Sequence, residues 1–410
     1  MNTQSLIHKS KRMFSSAMSG RGVVIVGGRR TPVGAFMGQL SNMTAPQLGA
    51  VATKGVLSAY HVDAKEVEEV YMGNVISAGS GQAPARQVAL GADMRYDTVC
   101  TTVNKVCASG MKAVMLGANA IRLGDRDIVV AGGMESMSKL PHYIYLRKPT
   151  GYGHAQVVDS IQFDGLTDVY NNILMGSCTE KVCQEMGITR EAQDEFAIKS
   201  YNKARAAQEK GLFDWEIVDI VEDVRGKEKR ISKDEECQKF LPEKFPSLKP
   251  AFAKNGTITA ANSSKLNDGA ASFILMSEQA AKDRGLKPIA RILGYEDAAV
   301  APIDFGIAPA KAVSQLMKRL KLTNKDVHAH EINEAFAAVV LANMKLLDLD
   351  PELVNVHGGA VALGHPIGMS GARLILSLIN VLKQKKGTIG VASICNGGGG
   401  ASSIAIERLE

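Results

Sequence analysis

The chain has 410 residues, of which 45% are apolar and 22% charged, and its formal net charge is +6. That length predicts two or three domains around a large core. No basic run with interleaved aromatics points to nucleic acid, and no apolar run approaches the roughly eighteen residues a membrane helix needs.

The first stretch with a character of its own is the N-terminus. From Met1 to Val62 there is no Asp or Glu, while Lys9, Lys11 and Arg12 fall among Ser and apolar residues. Basic, Ser-bearing and acid-free is the composition of a mitochondrial transit peptide, expected over residues 1–20. Val23-Val24-Ile25-Val26 reads as a first strand. Further on, Val103-Asn104-Lys105-Val106-Cys107-Ala108-Ser109-Gly110 joins a β-rich run to a helix expected from Ser109, as N-cap, to Leu123, stopped by Gly124. Cys107 then sits at a helix N-terminus, where unpaired N–H groups and the helix dipole lower a thiol's pKa and make it a nucleophile. The six cysteines lack metal-ligand pairing and are expected as free thiols.

A second copy of this arrangement occurs near the C-terminus. Aligning Ser109-Gly110 with Ser370-Gly371 brings two helices into register, the second read as Ala372–Lys383. Each helix is followed by a strand: 127–131 ending in Gly132-Gly133, and 388–394 ending in Cys395-Asn396-Gly397-Gly398. Two βα halves in one chain predict a duplicated, layered α/β architecture with pseudo-twofold symmetry. Between the halves, residues 139–266 are richer in charge, Pro and turns and read as an insertion. Over 199–254 they carry 13 Lys/Arg against 11 Asp/Glu, a near balance that suits a solvated surface with some lysines free to meet phosphates.

Chemistry concentrates in four short runs. Cys107 needs a base to form thiolate, and His365 in Gly364-His365-Pro366 is the side chain best suited in pKa. Cys395, at the head of a glycine run, could move a proton to or from carbon or sulfur. Backbone N–H groups of that run could stabilise an oxyanion. The fourth run is Asn333-Glu334-Ala335-Phe336. Gly397–Gly400 lacks the Lys-Ser/Thr ending of a P-loop, which argues against nucleotide phosphate.

These runs, from Asn104-Lys105-Val106-Cys107 to Cys395-Asn396-Gly397-Gly398-Gly399, occur in the order found in the thiolase family. The chain resembles that family from about Arg21 onward, and most closely its mitochondrial acetoacetyl-CoA branch. The resemblance implies a five-layered αβαβα fold of two similar halves. Residues 21–138 with 267–288 form one half, 289–410 the other, and 139–266 an inserted loop domain that binds coenzyme A. It implies that Cys107 accepts an acetyl group, that His365 activates it, and that Cys395 exchanges a proton with the second substrate. Asn333 would hold a water that forms one oxyanion hole with His365, and the N–H groups of Cys107 and Gly397 would form another. Tyr201, Lys239, Lys244 and Ser264 match the CoA positions. Potassium is implied beside them, on the Tyr201 hydroxyl and the carbonyls of Ala260, Ala261, Ser263 and Val361, with faster turnover in potassium than in sodium.

Phe305, Met175 and Leu174 match the substrate pocket. Leu174 stands where many relatives have His, and Gly306 replaces a Pro, which should make its loop more permissive. The implied partners are acetyl-CoA, acetoacetyl-CoA and CoA, with no nucleic acid and no membrane, in a homotetramer of two dimers in the mitochondrial matrix. A longer-chain 3-ketoacyl-CoA thiolase, or a non-catalytic CoA- or lipid-binding relative, are the alternatives.

Overall fold

The computed structural model describes residues 21–147, 151–224 and 226–410; the expected transit peptide lies outside them. Nine strands make the path of the main sheet. They are β1 (Val23–Arg30), β2 (Glu69–Gly73), β3 (Val99–Val103), β4 (Ile128–Ser136), β5 (Asn267–Ser277), β6 (Ala290–Ala299), β7 (Ala329–Ile332), β8 (Ile389–Asn396) and β9 (Gly400–Arg408). Their spatial order is β3-β2-β4-β5-β1-β6-β9-β8-β7. Read outward from the β1–β6 contact, each half repeats one pattern: first strand, last strand, penultimate strand, second strand. The counterpart of edge strand β3 is reduced in the second half to one parallel bridge, His330 to Val354. Both halves pair their outer strands in parallel and the rest antiparallel. The duplication read from the aligned Ser-Gly pairs is therefore present in the topology.

Side-chain alternation builds the layers, because successive residues of a strand face opposite sides. Val23 and Ile25 of β1 join a central core with Phe273 of β5 and with Ile394 and Ile404 of the second half. Val24 and Val26 face the other way, onto α1 (Ala45–Ala59) and α2 (Pro84–Gly91). In the second half, Leu293, Val391 and Ala405 face outward onto α6 (Ala308–Leu320). The central layer consists of α3 (Ser109–Leu123) and α8 (Ile367–Lys385). Helix α8 is buried at every position from Ile367 to Leu382, as a helix clad on all sides must be. Helix, sheet, helix, sheet, helix gives the expected five layers.

The two central helices start side by side. A Cβ on Gly110 would lie 2.8 Å from the Gly368 carbonyl, and one on Gly371 would lie 2.5 Å from the Met111 nitrogen. Only glycine permits that approach, so the two Ser-Gly pairs mark the closest contact between the central helices of the two halves. The same contact explains a difference from the sequence reading. Strand β4 does not end at Gly132-Gly133 but runs through them, since a Cβ on Gly133 would strike the Gly368 carbonyl at 2.0 Å. Helix α8 also begins earlier than expected, directly after Pro366. The 139–266 segment contributes α4 (Met175–Met186) and α5 (Arg190–Glu209), together with short hairpins.

Candidate active site

Cys107 lies in the turn between β3 and α3. Val106 holds a left-handed φ of 47°, which kinks the chain just before the thiol. Ser109 is not the N-cap: Ala108 flanks the helix and Ser109 is its first residue. The Ser109 hydroxyl instead donates to the Val106 carbonyl at 2.6 Å and accepts from the Lys105 N–H at 2.8 Å, latching the turn. The Lys105 ammonium binds Asp297 and donates to Ser402 at 2.8 Å, so the Cys107 turn is tied across to the second half.

His365 precedes α8 as Cys107 precedes α3, and the paired helix starts bring both to the same end of the central layer. The His365 N–H donates to Asn267 Oδ1 at 2.9 Å. Its Nδ1 is 2.5 Å from Ser370 Oγ, and that hydroxyl donates onward to the Pro366 carbonyl at 2.8 Å. With its proton so committed, Ser370 accepts from Nδ1–H, which leaves Nε2 as the open proton acceptor. Nε2 is 3.5 Å from Asn333 Nδ2. Ser370, one turn into α8, was noticed in the sequence only as half of a Ser-Gly pair.

Two buried glutamates brace these loops, and neither was singled out in the sequence. Glu135 accepts from the N–H groups of Val75 and Gly368 at 3.0 Å and from Asn74 Nδ2 at 2.8 Å. Glu334 accepts from Ser200 Oγ, Asn355 Nδ2 and the Val361 N–H, joining α5 to the Asn333 run. Burial raises both carboxyls, that of Glu135 to about 8.

Cys395 is fully buried one residue before the end of β8, and the turn that follows needs glycine, since Gly398 and Gly399 have φ of 82° and 83°. The N–H of Gly397 and that of Cys107 itself both face the Cys107 sulfur. A Cβ on Gly397 would sit 3.6 Å from Val106 and 3.8 Å from Met175, so the head of α4 packs against the Gly397 turn that follows Cys395. Met175, Phe305, Phe336 and Cys395 share one apolar cluster. Leu174 is half-buried immediately before Met175 and outside that cluster. Gly306, beside Phe305, is buried, and its carbonyl accepts from Asn343 Nδ2 at 2.7 Å.

The electrostatics invert one expectation. Burial pushes the Cys107 thiol up to about 11, outweighing the Gly397 and Cys107 N–H groups. Burial also raises the Cys395 thiol strongly, and the neighbouring Cys107 adds to it, while burial lowers His365 to about 3. A dry site disfavours the charged form of every group in it, and at rest that outweighs the helix terminus. At rest both thiols and the imidazole are thus neutral. Relative to a reference of 9.0, such a thiol carries about 100-fold less thiolate near neutrality. Alkylation of substrate-free protein at the Cys107 peptide should therefore keep climbing from about pH 7 to about pH 10, as mass spectrometry can read. A plateau already at neutral pH would mean a preformed thiolate–imidazolium pair.

The residues matched to CoA are spread over the 139–266 segment. Lys239 and Lys244 are exposed, Lys239 pairing with Glu235 at 3.2 Å. Ser264 donates from its hydroxyl to the Ala335 carbonyl at 2.9 Å, beside Asn333. Tyr201 is buried on α5 and stacked on Phe240 at 4.8 Å between ring centroids. Of the carbonyls matched to potassium, those of Ser263 and Val361 accept from Lys265 Nζ at 2.8 and 3.2 Å.

The N-terminal thiolase domain model matches residues 23–279, and the C-terminal one 286–408. The mitochondrial acetyl-CoA acetyltransferase of Rattus norvegicus is 52% identical over 400 residues, covering 97% of this chain and 94% of its own. The mitochondrial acetyl-CoA acetyltransferase of Homo sapiens is 50% identical over 401 residues, covering 97% and 93%. Among solved structures, Acat5 thiolase from Ascaris suum in complex with coenzyme A superposes with a TM-score of 0.91 at 46% identity, over 95% of this chain and 100% of that one. With both halves matched along nearly their whole length, and with the reactive runs meeting at one end of the central helices, the chain belongs to the thiolase family of acyltransferases.

Proposed function

We propose that the protein is an acetyl-CoA C-acetyltransferase that joins two acetyl-CoA reversibly into acetoacetyl-CoA and CoA. The observation that carries this reading is that Cys107 and Cys395 are neighbours, with His365, its Nε2 left open by the Ser370 contact, just ahead of the helix packed against the start of the Cys107 helix. His365 Nε2 takes the Cys107 proton as the sulfur attacks the thioester carbonyl. The oxyanion meets the N–H groups of Cys107 and Gly397, or His365 and a water held by Asn333. The departing CoA thiolate takes the Cys395 proton. The Cys395 thiolate left behind is a strong base, because its thiol pKa is raised, and it removes a methyl proton from the second acetyl-CoA. The resulting carbanion attacks acetyl-Cys107. Acetoacetyl-CoA is released as the Cys107 sulfur regains its proton from His365, and the charges balance.

CoA is taken to lie along the loop domain, residues 139–266, near Tyr201, Lys239, Lys244 and Ser264. A positive charge at the Tyr201, Ala260, Ala261, Ser263 and Val361 cage is part of this reading; potassium is the bearer that resemblance suggests. We take the chain to work in the mitochondrial matrix, residues 1–20 being its leader, as the relatives' mitochondrial names support. A homotetramer would cover the exposed apolar side chains of Tyr145, Leu146, Val169 and Tyr170 in the loop segment. Light scattering reads that mass directly.

Phe305 is 2% exposed in the cluster that holds Cys395, and we take its flat apolar ring as the wall that meets a methyl group at C2. One methyl is worth about 1 kcal/mol, so acetoacetyl-CoA and 2-methylacetoacetyl-CoA should be cleaved at rates within about fivefold. Thiolysis rates over both substrates and a series of longer 3-ketoacyl-CoAs test the assignment. Preference for long chains would replace it with the fatty-acyl reading, and no cleavage at all would leave a CoA-binding relative.

A further inference from the structure

The cage expected to hold potassium does not fit a metal ion in this chain. Lys265 Nζ donates to the Ser263 carbonyl at 2.8 Å and to the Val361 carbonyl at 3.2 Å, and it stands 5.3 Å from the centroid of the Tyr201 ring. Those are three of the five residues matched to potassium. A metal cation could bind there only by displacing the ammonium, because both would share the same two carbonyls and like charges repel. We propose that Lys265 is the enzyme's resident monovalent cation, a positioning residue that makes activity independent of potassium.

The surroundings suit that role. Lys265 is half-buried, with the carboxylates of Glu236 and Glu334 close enough to favour its charge. Desolvation opposes them and lowers the ammonium to about 8, so it remains largely charged at neutral pH. The ammonium ties three separate pieces of chain: the 259–264 loop, the short helix Ala360–Leu363, and α5 through Tyr201. Each piece borders the site. Ser264 donates to Ala335 beside Asn333, and Asn267, two residues after Lys265, holds the His365 backbone. Val361 is also fastened through its N–H to Glu334. A tethered ammonium supplies this ordering permanently, whereas a free ion must be recruited from solution.

The inference rests on the acyl-transfer reading for its rate measurement, so a second readout, the thermal midpoint of ligand-free protein, is measured in parallel. Wild type is compared in KCl and NaCl at matched ionic strength, and both its thiolysis rate and its midpoint should be the same. Lys265→Ala empties the cage. In NaCl it should lose about tenfold in kcat/KM, chiefly through KM for CoA, and KCl should restore several-fold and raise the midpoint. Lys265→Met fills the space without the charge and should show the loss without the potassium response. Faster or more stable wild type in KCl overturns the proposal, and that arm needs no variant to fold. A Lys265→Ala variant indifferent to KCl overturns it too, as does equal rescue of Lys265→Met, which would place the potassium effect elsewhere. If wild type cleaves nothing in either salt, the acyl-transfer reading falls, and the midpoints still decide the role of Lys265.

Discussion

Cys107→Ala should abolish condensation and thiolysis together, by on the order of 10⁵-fold in kcat, the scale reached when a covalent nucleophile is deleted. No other group can stand in. Cys395 is fully buried one residue before the end of β8, and its thiol is raised further than that of Cys107. The remaining cysteines are poor substitutes: burial raises the thiols of Cys100, Cys178, Cys183 and Cys237 as well. The exchange removes one sulfur from a half-buried turn whose shape is held by Ser109 and by the Lys105–Asp297 pair. Folding should therefore survive, and an unchanged thermal midpoint would show that the loss is chemical. Measurable turnover within about 100-fold of wild type would mean that acyl transfer proceeds without this sulfur.

Cys395→Ala should divide the reaction. Loss of a buried sulfur leaves a small apolar gap, worth about 1 kcal/mol of stability. The Cys107–His365 apparatus stays intact, since its supports are Ser370, Asn267 and Glu135. Exchange of labelled CoA into acetyl-CoA, which needs only acylation of Cys107 and its reversal, should persist at a reduced rate. Formation of acetoacetyl-CoA should fall by about 10³-fold or more, because no base remains to remove the methyl proton. The reduction in exchange has its own cause: the leaving CoA thiolate loses the proton that Cys395 would have given. Condensation at the wild-type rate would assign the proton transfer to another group.

Where the sequence was informative, the reason is chemical economy. Cys107, His365 and Cys395 each stand in a short run with glycine, and glycine is required where backbones meet, as at Gly110, Gly371 and Gly399. The duplication is visible because those same close approaches impose a glycine in the first turns of both central helices. What could not be read depends on distant chain. Ser109 has the residue type of an N-cap, yet the left-handed Val106 turns the chain so that its hydroxyl serves the Cys107 loop instead. The direction of the Cys107 shift follows from how deeply the folded chain buries the thiol, which no local pattern reports. Glu135 and Glu334 act through backbone N–H groups far away in sequence. Lys265 carries no local signal for the same reason: its partners are two main-chain carbonyls and the Tyr201 ring, and Val361 lies 96 positions along the chain.

The central claim is that the acetyl group passes through Cys107, and one measurement addresses it most directly. Wild-type protein is mixed with acetyl-CoA labelled in the acetyl carbon, quenched in acid within the first turnover, digested and mapped by mass spectrometry. The label should appear on the peptide containing Cys107, nowhere else, and should vanish when excess CoA is added before the quench. Label on the Cys395 peptide, or acetoacetyl-CoA formed in the same interval with Cys107 unlabelled, would contradict the account.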